Sequence, residues 1–371
     1  MNKFNLILQL RRATKRIIIL RKIIDFVPIF SRYDNYLYKY ARVRLEERKI
    51  QRFLSIDTEP KLNLVYDLKC APPTYGDFGE FLIATRILSS RFKVTLIIIT
   101  DELTTDWKAL SYGEIQKRIS DFKALAELSL VYCRAELKVI DSFSELSNLN
   151  VGSQTVFSDY VSKRKPKYRE LRFLNKRLYK SLGCEPKVLL DQIKFSELKM
   201  IPNFRYVLWH IRTKSIWNKD QDMPDGIIIR NYMSLRKVLG SEIRIIVCGN
   251  EKGLQRVMDL SSRFKLNLTS AREYGDGFTG DLELLGKCEF FLQVGGGGFT
   301  EYAWNSLVPF FVFSYPWKSR DFKMIRKIQG SKNQITTWQT TNQVFRLKTS
   351  KSEGNFESEL KKFCHALGLG N

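Results

Sequence analysis

Residues 62–100 contain the pattern that most restricts the fold of this chain. Residues 62–68 (LNLVYDL) form a short apolar run typical of a buried strand, and a turn rich in proline and glycine follows it. Residues 78–88 carry apolar side chains at helical spacing, and 93–100 are rich in β-branched residues. Strand, turn, helix and strand within about 40 residues predict a βαβ unit, and therefore a parallel sheet covered by helices.

A similar alternation starts again after residue 200, beyond a basic block at 161–180 with nine positive and one negative side chain. A chain of 371 residues has the length of about two domains. We therefore predict two α/β domains with parallel sheets, at 59–165 and 166–371, preceded by a basic helical arm at 1–58. The further predicted strands are 136–142, 206–211, 243–248, 266–268, 290–294 and 308–313, and the further predicted helices are 231–239, 254–264, 281–286 and 298–305.

The charge of the chain favours anionic partners. There are 62 lysine and arginine residues against 39 aspartate and glutamate, which gives a net charge of +23. Phosphates, anionic lipid and nucleic acid are the candidates. Residues 1–52 alone hold 14 basic and four acidic side chains, mixed with isoleucine and leucine. Such a segment either lies on an anionic membrane surface or packs its apolar stripe on the protein body, and both interpretations stay open.

The sequence also carries expectations about the cellular compartment and about metals. Within residues 1–24 the longest uncharged runs, 4–10 and 17–20, fall short of the ~20 apolar residues that span a bilayer, and no signal-peptide cleavage site is visible. The six cysteines lie singly, and only His210 and His365 occur. We therefore predict a cytoplasmic protein, peripheral on the inner membrane face if residues 1–52 bind lipid, with reduced thiols and no metal site.

The first candidate site is the segment Y-G-D-F-G-E at 75–80, between the first predicted strand and helix. Ligands of open parallel α/β sheets bind outside the carboxyl ends of the strands. At such a position Asp77 can act as a general base on an acceptor hydroxyl, with Tyr75, Gly76 and Glu80 on the acceptor side. The alternative is that Asp77 caps the helix that follows. The glycines lack the G-x-G-x-x-G spacing of a dinucleotide site.

The second candidate site is W-H-I-R-T-K-S at 209–215, at the end of the first strand of the second predicted domain. Arg212, Thr213 and Lys214 offer a guanidinium fork, a hydroxyl and a point charge to a diphosphate. The alternative is a solvated basic loop with His210 packed beneath it.

The third candidate site is the run of four glycines at 295–298, between a predicted strand and a predicted helix. Backbone N–H groups at such a helix N-terminus bind anions. Glu301 either accepts hydrogen bonds from a sugar diol or complements the helix dipole. The run lacks the G-K-[ST] of a P-loop. We predict that the following residues bind a phosphate-bearing substrate, called the donor below: His210, Arg212, Thr213, Lys214, Gly249, Asn250, Gly295, Gly296, Gly297, Gly298 and Glu301.

Taken together, these segments resemble nucleotide-sugar-dependent glycosyltransferases of the GT-B architecture, in which two Rossmann-like domains face each other across a cleft. The segment 73–78 resembles the N-terminal loop of heptosyltransferases, whose aspartate is the proposed base, and this implies that role for Asp77. The H-I-R of His210 to Arg212 resembles a segment of fucosyltransferase-like enzymes and related bacterial glycosyltransferases, where the arginine meets the diphosphate of the donor. Residues 281–309, with D-x-x-L and C-x-F-F, resemble the pattern that lines the donor site of the same enzymes.

The sequence departs from these patterns at two places. Thr213 stands where fucosyltransferases carry a second arginine, and Gly297-Gly298 replaces the usual Ser-Gly. The resemblance implies an enzyme without an essential metal and without a cofactor other than its nucleotide-sugar co-substrate.

The resemblance implies transfer of a sugar from a nucleotide-diphosphate sugar to a cell-surface polysaccharide or lipid-linked glycan. The alternative is a polyanion-binding, nucleic-acid-binding protein without catalytic activity, which the charge of +23 suggests. No recognisable nucleic-acid motif supports that alternative, and the basic residues lie largely outside the predicted α/β cores. A degenerate transferase fold kept as a scaffold is a third possibility.

Overall fold

The computed structural model describes a large part of the chain, and every structural statement below concerns that part. The predicted arm at 1–58 lies outside it apart from residue 48, as does the boundary at 165–166, so the predicted domain limits stay a prediction. The described residues are 48, 61–71, 73–103, 107, 110–130, 135–149, 154–158, 169–171, 202–211, 222–294, 302, 308–313, 344–346 and 355–369.

Five parallel strands form the first sheet. The strands are β1 (Lys61–Asp67), β2 (Lys93–Ile99), β3 (Ala135–Ile140), β4 (Gln154–Ser158) and β5 (Arg169–Leu171), and the helices along this part of the chain are α1 (Tyr75–Leu88), α2 (Tyr112–Leu130) and α3 (Glu145–Leu149). The strand order is β3-β2-β1-β4-β5, and each neighbouring pair is parallel. The βαβ unit predicted from residues 62–100 is therefore confirmed.

Six parallel strands form the second sheet. They are β6 (Tyr206–His210), β7 (Arg244–Cys248), β8 (Leu268–Ser270), β9 (Phe291–Val294), β10 (Phe310–Phe313) and β11 (Val344–Arg346). The helices are α4 (Asp225–Leu239), α5 (Glu251–Phe264), a 3-10 turn (Ala271–Glu273), α6 (Gly277–Leu285) and α7 (Asn355–Ala366). The strand order is β11-β10-β9-β6-β7-β8, with parallel pairing throughout. The second parallel sheet is thus confirmed as well.

Both faces of the second sheet are covered, as expected of a parallel sheet. Val207 and Trp209 of β6 belong to a hydrophobic core that includes side chains of α4, α5 and α7. Tyr206 points to the opposite face, where its hydroxyl donates to the carbonyl of Leu284 in α6 at 2.8 Å. The alternation along β6 therefore separates a large apolar core from the face that α6 covers.

The described residues divide into two compact units. The first sheet lies in a unit made of Met1–Ala71, Leu88–Leu103 and Arg134–Glu185. The second sheet lies in a unit made of Pro72–Ile87, Thr104–Cys133 and Pro186–Asn371, which also holds α2 and nearly all of α1. Contacts between α1, α2 and α6 are thus internal to the second unit.

Several elements start at residues other than those predicted: the helix predicted at 231–239 begins at Asp225, and two further shifts have a local cause. The helix predicted from residue 281 begins at Gly277, where the φ of +66° suits glycine. The strand predicted at 266–268 forms at Leu268–Ser270, because the end of α5 uses the preceding residues. Lys265 adopts a left-handed φ of +52°, and the N–H of Leu266 donates to the carbonyl of Ser261 at 2.9 Å.

The four described cysteines are buried and carry free thiols: Cys70, Cys248, Cys288 and Cys364. Among the described helices, none combines the length and the apolar character that a membrane crossing requires.

Candidate functional site

The strand order of each sheet reverses at one place. In the second sheet, β7 and β8 extend from one side of β6, and β9 to β11 from the other, so the order reverses between β6 and β9. In the first sheet it reverses between β1 and β4. Open α/β sheets bind ligands outside the carboxyl ends of the strands at such a reversal. The three candidate motifs follow β1, β6 and β9, which all flank a reversal.

Asp77 lies in the first turn of α1, and Thr74 is the residue that caps this helix. The N–H of Asp77 donates to the Thr74 hydroxyl at 3.2 Å, and the N–H of Phe78 donates to the Thr74 carbonyl at 3.2 Å. The Thr74 hydroxyl in turn donates to the carboxylate of Asp77. The alternative in which Asp77 itself is the N-cap is therefore wrong, because Thr74 takes that position.

The carboxylate of Asp77 is a stronger base than an ordinary aspartate. Although the side chain is exposed, the protein atoms around it withdraw enough water to raise its pKa, and the hydrogen bond from Thr74 opposes the rise. A carboxylate has about four acceptor positions. Asp77 can therefore hold the Thr74 hydroxyl and still accept a proton from a second hydroxyl.

The ring of Tyr75 is held on both faces and at its hydroxyl. Phe278 of α6 stacks on it with 3.9 Å between centroids, and the Arg118 guanidinium of α2 lies 4.0 Å from the ring centre. The Tyr75 hydroxyl donates to Asp121, and Arg118 donates to the carbonyl of Pro73 at 2.7 Å. These contacts fix the segment that carries Asp77. The predicted acceptor-side role of Tyr75 stays a prediction.

The second glycine of the motif serves packing. A Cβ at Gly79 would lie 2.8 Å from a ring carbon of Tyr302, and the Tyr302 hydroxyl donates to the carbonyl of Tyr75 at 3.3 Å. A side chain at position 79 would therefore require the Tyr302 ring to shift away from α1. Gly76 and Glu80 lie in the same helix, and their predicted acceptor-side role stays a prediction.

His210 ends β6 next to the reversal of strand order. It pairs in register with Cys248 of β7 and Gln293 of β9, so the three side chains share the sheet face that α6 covers. The ring of His210 lies 6.4 Å from that of Phe291. Burial raises the pKa of the Cys248 thiol well above its ordinary value, so this cysteine stays protonated.

Gly249 and Asn250 follow β7. A Cβ at Gly249, whose φ is +152°, would lie 3.1 Å from the carbonyl oxygen of Ile211, so the close approach of the two strand ends suits glycine. The Oδ1 of Asn250 accepts from the N–H of Gly253 at 2.7 Å and caps α5. The predicted donor-binding role of both residues stays a prediction.

Several predicted donor-binding residues lie outside the described part of the chain, so their role also stays a prediction. They are Arg212, Thr213, Lys214, Gly295, Gly296, Gly297, Gly298 and Glu301.

Arg272 lies in a hydrogen-bond network around the buried Asp281, and no sequence pattern indicated it. It donates to both carboxylate oxygens of Asp281 at 2.6 and 3.1 Å, and Asp281 is only 2% exposed. Burial raises the pKa of Asp281 to about 6, while Arg272 opposes the rise. Burial alone would lower the pKa of Arg272, but Asp281 and Glu251 raise it. A capping box at Ser270 and Glu273 marks the turn but not Arg272.

The chain matches no protein-family model and no curated protein. Among solved structures it is similar to a glycosyl transferase family 9 protein from Veillonella parvula DSM 2008, with a TM-score of 0.51 and 12% identity over 84% of this chain and 98% of that chain. It is also similar to E. coli heptosyltransferase WaaC with ADP-2-deoxy-2-fluoro heptose (TM-score 0.44, 14% identity, 82% and 99% covered). A further match is E. coli ADP-heptose lps heptosyltransferase II (TM-score 0.45, 10% identity, 83% and 98% covered).

At these identities the likeness defines the fold. The α/β class with two parallel sheets is confirmed, and the resemblance of the sequence to GT-B glycosyltransferases is confirmed at the level of the fold.

Substitution of Gly79 by alanine tests the packing of Tyr302 on α1. Alanine favours a helix interior by up to about 1 kcal/mol over glycine, but the clash with the Tyr302 ring overpacks the site at a cost of about 1–3 kcal/mol. We expect Gly79→Ala to lower the free energy of unfolding measured in urea. Gly113→Ala in α2, where a Cβ meets nothing within 4 Å, is the matched control and should not lower it. A gain in stability of Gly79→Ala over the wild type as large as that of Gly113→Ala would contradict the contact.

Proposed function

We propose that this chain is a glycosyltransferase that moves a sugar from a nucleotide-diphosphate sugar to a cell-surface polysaccharide or lipid-linked glycan. The observation that carries the proposal is the placement of Asp77. Its exposed carboxylate has a raised pKa and lies in the first turn of the helix that follows β1, a strand at the reversal of sheet order. The GT-B-type fold supports the same class of enzyme.

In the proposed reaction, Asp77 takes the proton of an acceptor hydroxyl. The acceptor oxygen forms a bond to the anomeric carbon of the sugar, and the bond between that carbon and the diphosphate oxygen breaks. The nucleotide diphosphate leaves with the electron pair. Thr74 holds the carboxylate through its hydroxyl, and the contacts of Tyr75 hold the backbone that carries it.

The donor side of the proposed site is the carboxyl edge of β6 and β9. There Arg212, Lys214 and the N–H groups of Gly295–Gly298 would stabilise the negative charge that develops on the leaving diphosphate. In the proposed mechanism protein groups stabilise this negative charge, and we assign no role to a metal or a further cofactor. We propose a cytoplasmic location for the enzyme, peripheral on the inner membrane face if residues 1–52 bind an anionic membrane surface.

Thermal unfolding with a panel of UDP-, GDP-, CMP- and ADP-linked sugars, each beside its bare nucleotide, tests the donor class. A ligand that binds only the folded chain raises the melting temperature by mass action. We expect one nucleotide class to raise it selectively, and Arg212→Ala to remove most of the shift. Folded protein that none of these ligands stabilises, but that binds polynucleotides with steep salt dependence, would contradict the proposal and support the polyanion-binding alternative.

Substitution of Asp77 by asparagine tests the base. Asparagine keeps the shape of the side chain but cannot take a proton, so we expect the release of nucleotide diphosphate in the presence of acceptor to fall by about 10²-fold or more. Donor affinity should not change. Asp259→Asn, on the exposed side of α5, is the matched control and should keep full turnover.

The pH dependence of turnover gives a second readout of Asp77. Because the reaction needs the ionised carboxylate, turnover of the wild type should fall as the pH drops through the pKa of Asp77, which lies above the ordinary value of 3.8.

For the substitution experiment, unchanged turnover in Asp77→Asn would remove this residue from the mechanism.

A further inference from the structure

Arg272 joins three separate segments of the chain at one edge of the second sheet. Besides Asp281 of α6, its guanidinium donates to three backbone carbonyls, those of Gly249 and Gly277, each at 3.1 Å, and that of Gly275 at 3.5 Å. Its Nε donates to Glu251 at the start of α5 at 2.7 Å. The side chain of Arg272 is 19% exposed and that of Asp281 2%, so the centre of this network is shielded from water.

The two loops that Arg272 joins leave neighbouring strands. Gly249 follows the carboxyl end of β7, and Gly277 starts α6 after the 3-10 turn that follows β8. The loop at Gly249 also approaches β6: the N–H of Ile211 donates to the carbonyl of Cys248 at 3.2 Å, and a Cβ at Gly249 would be 3.1 Å from the Ile211 carbonyl. Ile211 is the residue before Arg212. The backbone that Arg272 holds therefore adjoins the start of the predicted diphosphate loop.

The carboxylate of Asp281 is only 2% exposed, so a ligand has little access to it. Both of its oxygens accept from Arg272 in a two-pronged pair, the strongest geometry for an arginine and a carboxylate. Breaking a buried pair of this kind leaves an uncompensated charge. The Asp281–Arg272 pair is thus suited to holding backbone in place.

We propose that Arg272 and Asp281 are positioning residues of the donor site: they hold the loops after β7 and β8 in the arrangement that receives the nucleotide, without touching it. This inference rests on the proposed function for its ligand, and on the hydrogen bonds of Arg272 for its geometry. It assigns Asp281 an indirect role and adds Arg272, which the sequence motifs did not include.

Arg236 provides a matched control at the opposite edge of the same two strands. From α4 it donates to the carbonyls of Gly240, Ile243 and Asn267 at 3.2, 2.8 and 2.9 Å. Ile243 and Asn267 immediately precede β7 and β8. Arg236 therefore holds backbone carbonyls through the same kind of hydrogen bond as Arg272. It does so at the amino ends of β7 and β8, whereas Arg272 does so beyond their carboxyl ends.

The test compares Arg272→Lys with Arg236→Lys. Lysine keeps the positive charge but cannot reproduce the planar fork, so both variants should melt at a lower temperature. The affinity for the nucleotide that stabilises the wild type, measured by calorimetry on folded protein, should fall about tenfold or more in Arg272→Lys only. Unchanged affinity in Arg272→Lys, or an equal loss in Arg236→Lys, would overturn the proposal.

A second variant and a ligand-free measurement separate this proposal from the proposed function. Asp281→Asn removes one charge with little change of volume, and serves if Arg272→Lys does not fold. In the absence of ligand, amide hydrogen exchange at 249–253 and 275–280 should be faster in Asp281→Asn than in the wild type, while Arg236→Lys leaves these segments unchanged. Unchanged exchange at these segments in Asp281→Asn would overturn the proposal. If exchange is faster in Asp281→Asn but the wild type binds no nucleotide, only the proposed function is contradicted.

Discussion

Parallel pairing of strands is the constraint on which the remaining arrangement depends. Neighbouring strands in both described sheets run the same way, so their carboxyl ends share one edge, and the chain must cross back before it can add the next strand. Where the strand order reverses, between β6 and β9 and between β1 and β4, successive connections diverge and leave the strand ends accessible. Motifs far apart in sequence, at 75–80, 209–215 and 295–301, follow strands at these two reversals.

Asp77 and Asp281 differ in solvent exposure and in hydrogen-bond partner, and these differences decide which chemical role each carboxylate can take. Withdrawal of water from around the carboxylate raises the pKa of both Asp77 and Asp281. Asp281 is enclosed and bonded through both oxygens to Arg272, so its charge is committed to holding backbone. Asp77 is exposed and receives one hydroxyl from Thr74, so it retains the capacity to accept a proton. The difference lies in solvent access and in the strength of the partner, an arginine in one case and a hydroxyl in the other.

Hydrophobic patterning was sufficient to predict most strands and the parallel sheets, because buried parallel strands such as 93–99 and 244–248 are apolar runs between turns. The cap of α1 was open to prediction too, since Thr74-x-x-Asp77 is a capping pattern. Contacts such as Gly79 with Tyr302, or Arg272 with the loops around it, join residues far apart in sequence. No local pattern encodes them, and only the folded chain reveals why those residues are required.

A crystal structure with the nucleotide that stabilises the protein would show whether the donor binds at the reversal of strand order in the second sheet. We expect the diphosphate at the carboxyl ends of β6 and β9, in contact with Arg212 and the N–H groups of Gly295–Gly298, and we expect Arg272 and Asp281 to keep their bonds to each other. A nucleotide bound on the basic block at 161–180, or at the amino edge of the sheet, would contradict this expectation.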